Sequence, residues 1–412
     1  MTRDRLLLYT AALTRSTAVG MSGVLVAVYL AEQGFGAGVL GAVVSAGLLG
    51  AALGTILSGL AADRIGRRAA LLGVAVLGAV GAALFAAAST ATLLLGTAFL
   101  GMVNGMGRDR GAAYSLEQAL LPATTSDHER TQTFAWYTVV LDTGHALGAL
   151  AAATPLLFRH AFGLGTLASY RAAFGLVAVL TFAGALAYAG LSAGVAGAPG
   201  TAVRRATVSP ESRRRISRLA GLFALDSVGG GFLTGALISY WFFRRFGVGE
   251  GTLAPLFLVA RIANGISHLG AAWLARRIGL LNTMVFTHLP SSVFLLTVPI
   301  APSFGVAAAL FLLRECLVEM DVPTRQSYVV AVVEPAERVA AASTTNLVRT
   351  LGWAAGPVFA GAAMQTVSLG MPLVLGASLK IAYDVLLYRA FRRVKPPEEE
   401  RAEPGAAEKE PA

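Results

Sequence analysis

Apolar runs long enough to cross a lipid bilayer recur from one end of this chain to the other, separated by short polar connections. A hydrocarbon core about 30 Å thick takes about 20 residues of helix, and this pattern of windows and breaks predicts twelve such helices. In the first half they cover Leu6–Glu32, Val39–Ala62, Ala69–Ala88, Thr92–Leu121, Thr131–Phe158 and Tyr170–Leu191. In the second half they cover Leu219–Phe243, Leu253–Leu274, Leu280–Ile300, Phe304–Val333, Val339–Thr366 and Met371–Phe391. The expected fold class is therefore an all-α membrane protein. Residues 1–191 form one six-helix bundle and 219–394 the other. Residues 192–218, rich in Gly, Ala, Pro and Arg, read as the linker between them. The stretch 395–412 is rich in Pro, Glu and Lys and reads as a disordered tail.

Composition agrees with membrane solvation: 55% of the 412 residues are hydrophobic and only 14% are charged. The formal charge of +10 does not read as a nucleic-acid surface, because the basic residues sit in the connections between apolar runs. If the N-terminus is cytoplasmic, Arg64, Arg67, Arg68, Arg213–Arg215, Arg276, Arg277, Arg392 and Arg393 all fall on the cytoplasmic side. Arg244 and Arg245 oppose that assignment. Cys316 is the only cysteine, which excludes an internal disulfide and a cysteine-based metal site, and its apolar context reads as packing. The basic start Met1–Arg5 leads into a run longer than a signal-peptide core, so it is expected to be the first span rather than a leader.

The halves resemble each other at a nearly constant offset, as expected of a repeat-built transporter. Arg64-Ile65-Gly66 matches Arg277-Ile278-Gly279, in each case directly after an even-numbered span. Glu129-Arg130 matches Glu337-Arg338, and Gly144 with Gly148 matches Gly352 with Gly356.

Between the second and third spans the chain reads Gly59-Leu-Ala-Ala-Asp63-Arg64-Ile-Gly66-Arg67-Arg68. This resembles the loop signature of the major facilitator superfamily, G-x-x-x-D-R-x-G-R-[RK]. The physical reading is that Gly59 and Gly66 permit close approach and a tight turn while the arginines anchor one face. The resemblance implies the major facilitator fold, two pseudo-symmetric six-helix bundles, and a role for Asp63 and Arg67 in steadying one transport state through contacts with neighbouring helices. Two departures set the chain apart from the drug exporters of that family. Gly101-Met-Val-Asn104-Gly105-Met-Gly107 has glycine where those exporters have an early arginine. Gly144-x-x-x-Gly148 lacks a following proline, which appears instead as Pro357 after Gly352-x-x-x-Gly356.

Intramembrane charge is costly, about 2.5–3.5 kcal/mol per residue at the bilayer centre on an insertion scale, so charges that persist there point to a cavity or a partner. Away from their ends, the first, fourth, seventh and tenth spans carry eleven: Arg15, Arg108, Asp109, Arg110, Glu117, Asp226, Arg314, Glu315, Glu319, Asp321 and Arg325. The second, fifth, eighth and eleventh carry Asp142, Arg261 and Arg349, and the remaining four only Lys380 and Asp384. The resemblance implies that the first set of helices lines a central cavity. Arg15, Arg108, Asp109, Arg110, Asp226, Arg314 and Asp321 are accordingly the candidate substrate and coupling residues, with structural ion pairing as the competing role. Asp142 and His145 share a face of the fifth span and form a candidate proton relay; an interhelical hydrogen bond is the competing role.

Other signals exclude chemistry. No G-x-x-x-x-G-K-[ST] loop occurs, so the energy source is expected to be a gradient rather than ATP, and no cofactor is implied. The five histidines lack metal-ligand spacing. Gly36-x-Gly38-x-x-Gly41 follows a membrane span, not a strand, and is read as helix packing. The expected function is alternating-access transport of a small solute by a multi-pass monomer in the cytoplasmic membrane, both termini inside. Efflux coupled to protons is the preferred direction, uptake of a metabolite or organic anion the alternative, and a non-transporting receptor the alternative of another class.

Overall fold

Helix starts follow from local chemistry. The hydroxyls of Thr2, Thr90, Thr234 and Ser303 each accept the backbone N–H three residues on, satisfying a donor that the helix cannot. The computed structural model describes residues 2–109, 111–126, 129–192, 209–331, 333 and 337–394. Among them all regular structure is helical. The helices are α1 (Arg3–Glu32), α2 (Ala37–Ile65), α3 (Arg67–Ala87), α4 (Ala91–Gly101), α5 (Ala112–Leu120), α6 (Arg130–Ala151), α7 (Thr154–Phe162) and α8 (Thr166–Ala189). They continue with α9 (Pro210–Gly231), α10 (Gly235–Phe246), α11 (Glu250–Ile278), α12 (Leu280–Thr297), α13 (Phe304–Val318), α14 (Asp321–Ala331), α15 (Arg338–Thr366) and α16 (Met371–Phe391).

Every predicted span is occupied by helix. By length and composition, eight spans among the described residues are apolar enough to cross a membrane, and a pair bent by 42°, α6 with α7, makes a ninth. The fourth and tenth spans are broken rather than continuous. Residues 102–109 and 111, between α4 and α5, are not helical, and α13 and α14 are separated at Glu319–Met320. The seventh span is likewise divided into α9 and α10. Helix begins at Pro210, inside the stretch read as a linker; residues 193–208 and 395–412 lie outside the described residues.

The described chain gathers into two compact units. Unit 1 comprises the described residues within 2–192, 231–261 and 354–372; unit 2 comprises those within 209–230, 262–353 and 373–394. Within unit 1, α1 packs on α6 through glycines. A Cβ on Gly144 would meet Ser16 Oγ at 1.9 Å, and one on Gly148 would meet the Thr17 carbonyl at 2.1 Å. The same joint recurs within unit 2, where a Cβ on Gly352 of α15 would meet Ser227 Cβ of α9 at 2.8 Å. Unit 1 also draws segments of the second sequence half against the first. A Cβ on Gly41 of α2 would meet the Pro357 carbonyl at 2.2 Å, one on Gly361 would meet the Ala37 carbonyl at 2.4 Å, and Ser45 Oγ accepts from Val358 N–H at 3.1 Å. Tyr29, Phe85, Tyr170 and Phe174 fill the interior of unit 1 with ring centroids 5.1–6.4 Å apart.

The loop pattern is explained at Gly66 and Gly279. Both have φ of +86°, with ψ of 151° and 164°, a region essentially restricted to glycine, and each lets one helix end and the next begin at once. The repeated Arg-Ile-Gly therefore marks the same turn twice.

Candidate functional site

Unit 1 centres on Arg15. Its guanidinium holds the Glu117 carboxylate bidentately at 2.6 and 2.7 Å, reaches the Tyr188 hydroxyl at 2.6 Å, and is also ion-paired with Asp109. Tyr137 donates to Glu117 at 2.6 Å. Glu117 is wholly buried, so its charge depends on these partners. The fork geometry of arginine satisfies two carboxylates at once, which lysine would not.

Asp109 and Arg108 stand in the unwound segment of the fourth span. Side chains hold that segment. Asn104 Oδ1 accepts from the N–H groups of Met106 and Gly107 at 2.8 and 3.2 Å, while its amide donates to the Arg108 carbonyl at 2.7 Å. The N–H of Asp109 donates to His145 Nε2 at 3.0 Å. The freed carbonyls of Gly105 and Met106 accept from Ala236 and Gly235, at 2.9 and 3.4 Å. These donors are orphan N–H groups in the first turn of α10, so two broken spans satisfy each other's backbone. Beside the segment lies a cavity with about 830 Å³ of space including its open mouth. Arg15, Asn104 and Asp109 provide part of its polar lining, and Val74, Phe174 and Val177 part of its apolar wall.

Unit 2 centres on Asp226 of α9, 3% exposed. Lys380 Nζ donates to its Oδ1 at 2.8 Å, and Arg325 and Arg349 lie 3.7 and 3.8 Å from Oδ2. Arg325 also pairs with Asp321, one turn earlier on α14. Phe223 lies under both guanidinium groups, at 5.7 and 5.9 Å, and Trp353 lies 4.6 Å from that of Arg349. On the far side of Lys380, Nε2 of His288 is 3.3 Å from Nζ, and its Nδ1 is 3.0 Å from both Asp384 oxygens.

Several predicted residues thus come together, but within separate units: Arg15 with Asp109, and Asp226 with Asp321 through Arg325. Arg314 pairs with the adjacent Glu315, whose side chain and carbonyl both take the Asn264 amide at 2.8 Å. Arg110 lies outside the described residues, as does the side chain of Asp63. His145 holds the Asp109 N–H, and Asp142 is half-buried one turn before it. In the loop, Arg67 donates to the Ala119 carbonyl at 3.1 Å and Arg68 to that of Ala189, so both neutralise carbonyl ends of neighbouring helices. Arg64 is exposed. Two expectations are corrected. A Cβ on Gly59 would meet open space, so that glycine mediates no close approach, and Cys316 is exposed rather than packed inside. The sequence reading marks Lys380 and Asp384 as intramembrane charges but leaves them out of the candidate site, and it does not single out His288; the available signal is a lysine and an aspartate one turn apart in an otherwise apolar run.

Long apolar helices, broken where charges and an unwound segment are buried, define a multi-pass membrane protein of the helical class. Comparison places it further: the model of the Major Facilitator Superfamily matches residues 8–357, and the chain belongs to that family of multi-pass membrane transporters. It is 24% identical over 421 positions, 94% of each chain, to YJR124C, an uncharacterized membrane protein of Saccharomyces cerevisiae. Among solved structures it resembles the nucleoside transporter NupG, with a TM-score of 0.74 and 14% identity over 95% of this chain and all of that one. It also resembles a D-xylose-proton symporter, with a TM-score of 0.70 and 13% identity over 93% and 96% of the two chains.

Proposed function

We propose that this transporter moves a small solute across the cytoplasmic membrane by alternating access, with export of the solute coupled to entry of protons. The observation that carries the reading is the pairing of buried charge at matching positions of the two repeats, Arg15 with Glu117 and Asp226 with Arg325. Charges kept at such cost in apolar helices are expected to work on a translocation path. The unwound segment supports the same reading, because non-helical backbone at membrane depth is tolerated where it lines a cavity or is buried in protein. Its cavity, polar near Arg15 and Asn104 and apolar near Phe174, suits a solute with an apolar body and one polar group.

The arginine distribution supports a cytoplasmic N-terminus and C-terminus. In that orientation the Gly41–Gly361 packing lies at the outer end, with the ion pair of Glu250 to Arg159 and the 2.6 Å hydrogen bond from Tyr170 to Glu250. These contacts would form the outer seal, and the Arg67 and Arg68 contacts would steady the cytoplasmic end. The protein is proposed to work as a monomer.

The test is flux in proteoliposomes under an imposed pH gradient, screening lipophilic cations, organic anions and sugars against protein-free vesicles. Gradient-dependent movement of one class supports coupled transport and names that class. Equal movement with and without the gradient would remove the proton from the mechanism.

A further inference from the structure

Three helices of unit 2 bring four titratable side chains into one line. Asp384 and Lys380 stand one turn apart on α16, His288 projects from α12 and Asp226 from α9. All four are buried: Asp384 is 0% exposed, His288 1%, Asp226 3% and Lys380 7%. The contacts run Asp384 to His288 Nδ1 at 3.0 Å, His288 Nε2 to Lys380 Nζ at 3.3 Å, and Lys380 Nζ to Asp226 Oδ1 at 2.8 Å.

This order of donors and acceptors constrains the protons. A lysine ammonium has donors only, so a charged Lys380 requires Nε2 of His288 to be an acceptor. Nδ1 then carries the ring hydrogen and donates it to Asp384. The tautomer follows from the partners on both sides. A second proton on Nε2 would set an N–H against the ammonium across 3.3 Å, so His288 and Lys380 cannot both be protonated in this arrangement. Either Lys380 gives up a proton or it leaves the ring.

We propose that Asp384, His288, Lys380 and Asp226 form a proton-binding site in which one mobile proton is exchanged between Lys380 Nζ and His288 Nε2. In the internal step an N–H bond of Lys380 breaks and an N–H bond forms at Nε2. The product is an imidazolium held by Asp384 and a neutral amine beside Asp226. When a proton arrives from outside, both groups become charged, and the repulsion drives Lys380 from the ring. The contact between α12 and α16 is thereby made sensitive to protonation.

The surrounding charges fit this use. Arg325 and Arg349 approach Asp226 from α14 and α15, so Asp226 keeps cationic neighbours when Lys380 becomes neutral. Asp321 on α14 holds Arg325, and Glu319, at the break before α14, adds a further carboxylate to the field at Arg325. On α16 Tyr383 packs edge-on against the His288 ring with centroids 6.1 Å apart, and its buried hydroxyl has no hydrogen-bond partner among the described residues. That hydroxyl is a further group able to take or give a hydrogen as the cluster rearranges. That the site serves transport coupling rests on the function proposed above; the proton site itself does not.

The experiment is nitrogen NMR of full-length protein labelled with 15N-histidine in lipid nanodiscs, with the His288 signals assigned by their loss in His288→Gln. At pH 7 the ring is expected to be protonated at Nδ1 and bare at Nε2. In Lys380→Met the doubly protonated fraction at pH 6 is expected to rise at least tenfold over the wild type. Lys380→Arg, which keeps the charge but holds its proton, is expected to leave the ring neutral and serves if the methionine variant does not fold. A wild-type ring protonated at Nε2, a doubly protonated ring in Lys380→Arg, or an unchanged ring in folded Lys380→Met would overturn the site. Flux is read separately: Lys380→Arg and His288→Gln are each expected to lose at least tenfold of gradient-driven transport. Undiminished gradient-driven flux in those variants removes the coupling role. A wild type with no gradient-driven flux at all defeats the transport reading instead, leaving the NMR result to decide the proton site.

Discussion

Arg15 and Asp226 occupy the same place in the two repeats with opposite charge. Each directly precedes a serine, Ser16 or Ser227, against which the first glycine of a G-x-x-x-G pair, Gly144 or Gly352, is seated. Their partners are inverted as well: Glu117 pairs with Arg15 and Arg325 lies beside Asp226, 208 residues apart in the chain (117 to 325). The repeat preserves the joint while reversing the sign, so unit 1 surrounds a cation with carboxylates and unit 2 surrounds a carboxylate with cations.

That inversion predicts an asymmetric response to neutralisation. Asp226→Asn removes the one anion shared by Lys380, Arg325 and Arg349, and is expected to cost about 3–5 kcal/mol, the range for breaking a buried pair. Thermal unfolding in detergent should show it. The double variant Asp226→Asn with Lys380→Met should recover about 0.5–3 kcal/mol relative to additivity, and strictly additive losses would mean that the two side chains are not coupled.

The glycine turns make a second prediction. Gly66→Ala and Gly279→Ala place a Cβ at φ of +86°, and each is expected to destabilise by about 1–3 kcal/mol, measurable as a lowered unfolding midpoint. Gly59→Ala, where a Cβ meets open space, serves as the contrast and should be within about 0.5 kcal/mol of wild type.

At the Gly41–Gly361 contact, Gly41→Val is expected to lower stability by about 1–3 kcal/mol, because an added side chain meets backbone rather than a movable neighbour. Flux should fall with it if the contact is remade in every cycle. A variant that transports at the wild-type rate would show that this packing is not part of the seal.

Asn104→Ala tests the unwound segment. It leaves the Met106 and Gly107 N–H groups without their acceptor, at a cost of about 1–3 kcal/mol if they stay buried. Loss of flux from folded protein is expected, while Asn104→Asp, which keeps the acceptor oxygen, should retain more of it.

The sequence by itself determined the solvent, the helical class, the repeat and the family, because apolar run length and the loop motif are local properties. It also exposed the intramembrane charges, since a charge in an apolar run is conspicuous wherever its partner is. It did not determine the partners. Arg15 could be paired with Asp109 or Asp226 on helix position alone; close contacts of Gly23 with Gly107 and of Gly229 with Gly376 set α1 against the unwound segment and α9 against α16, where Arg15 meets Asp109 and Glu117 and Asp226 meets Lys380. Nor was the break after Gly101 legible, because its backbone is satisfied by Asn104, by His145 and by the first turn of α10, 129 or more residues away in the chain for the last (106 to 235). Lys380 and Asp384 stood apart from the candidate cavity residues in the sequence, and His288 carried no signal of its own. Tertiary structure brought them together in a buried chain, Asp384 to His288 to Lys380 to Asp226, that forms only where three helices meet.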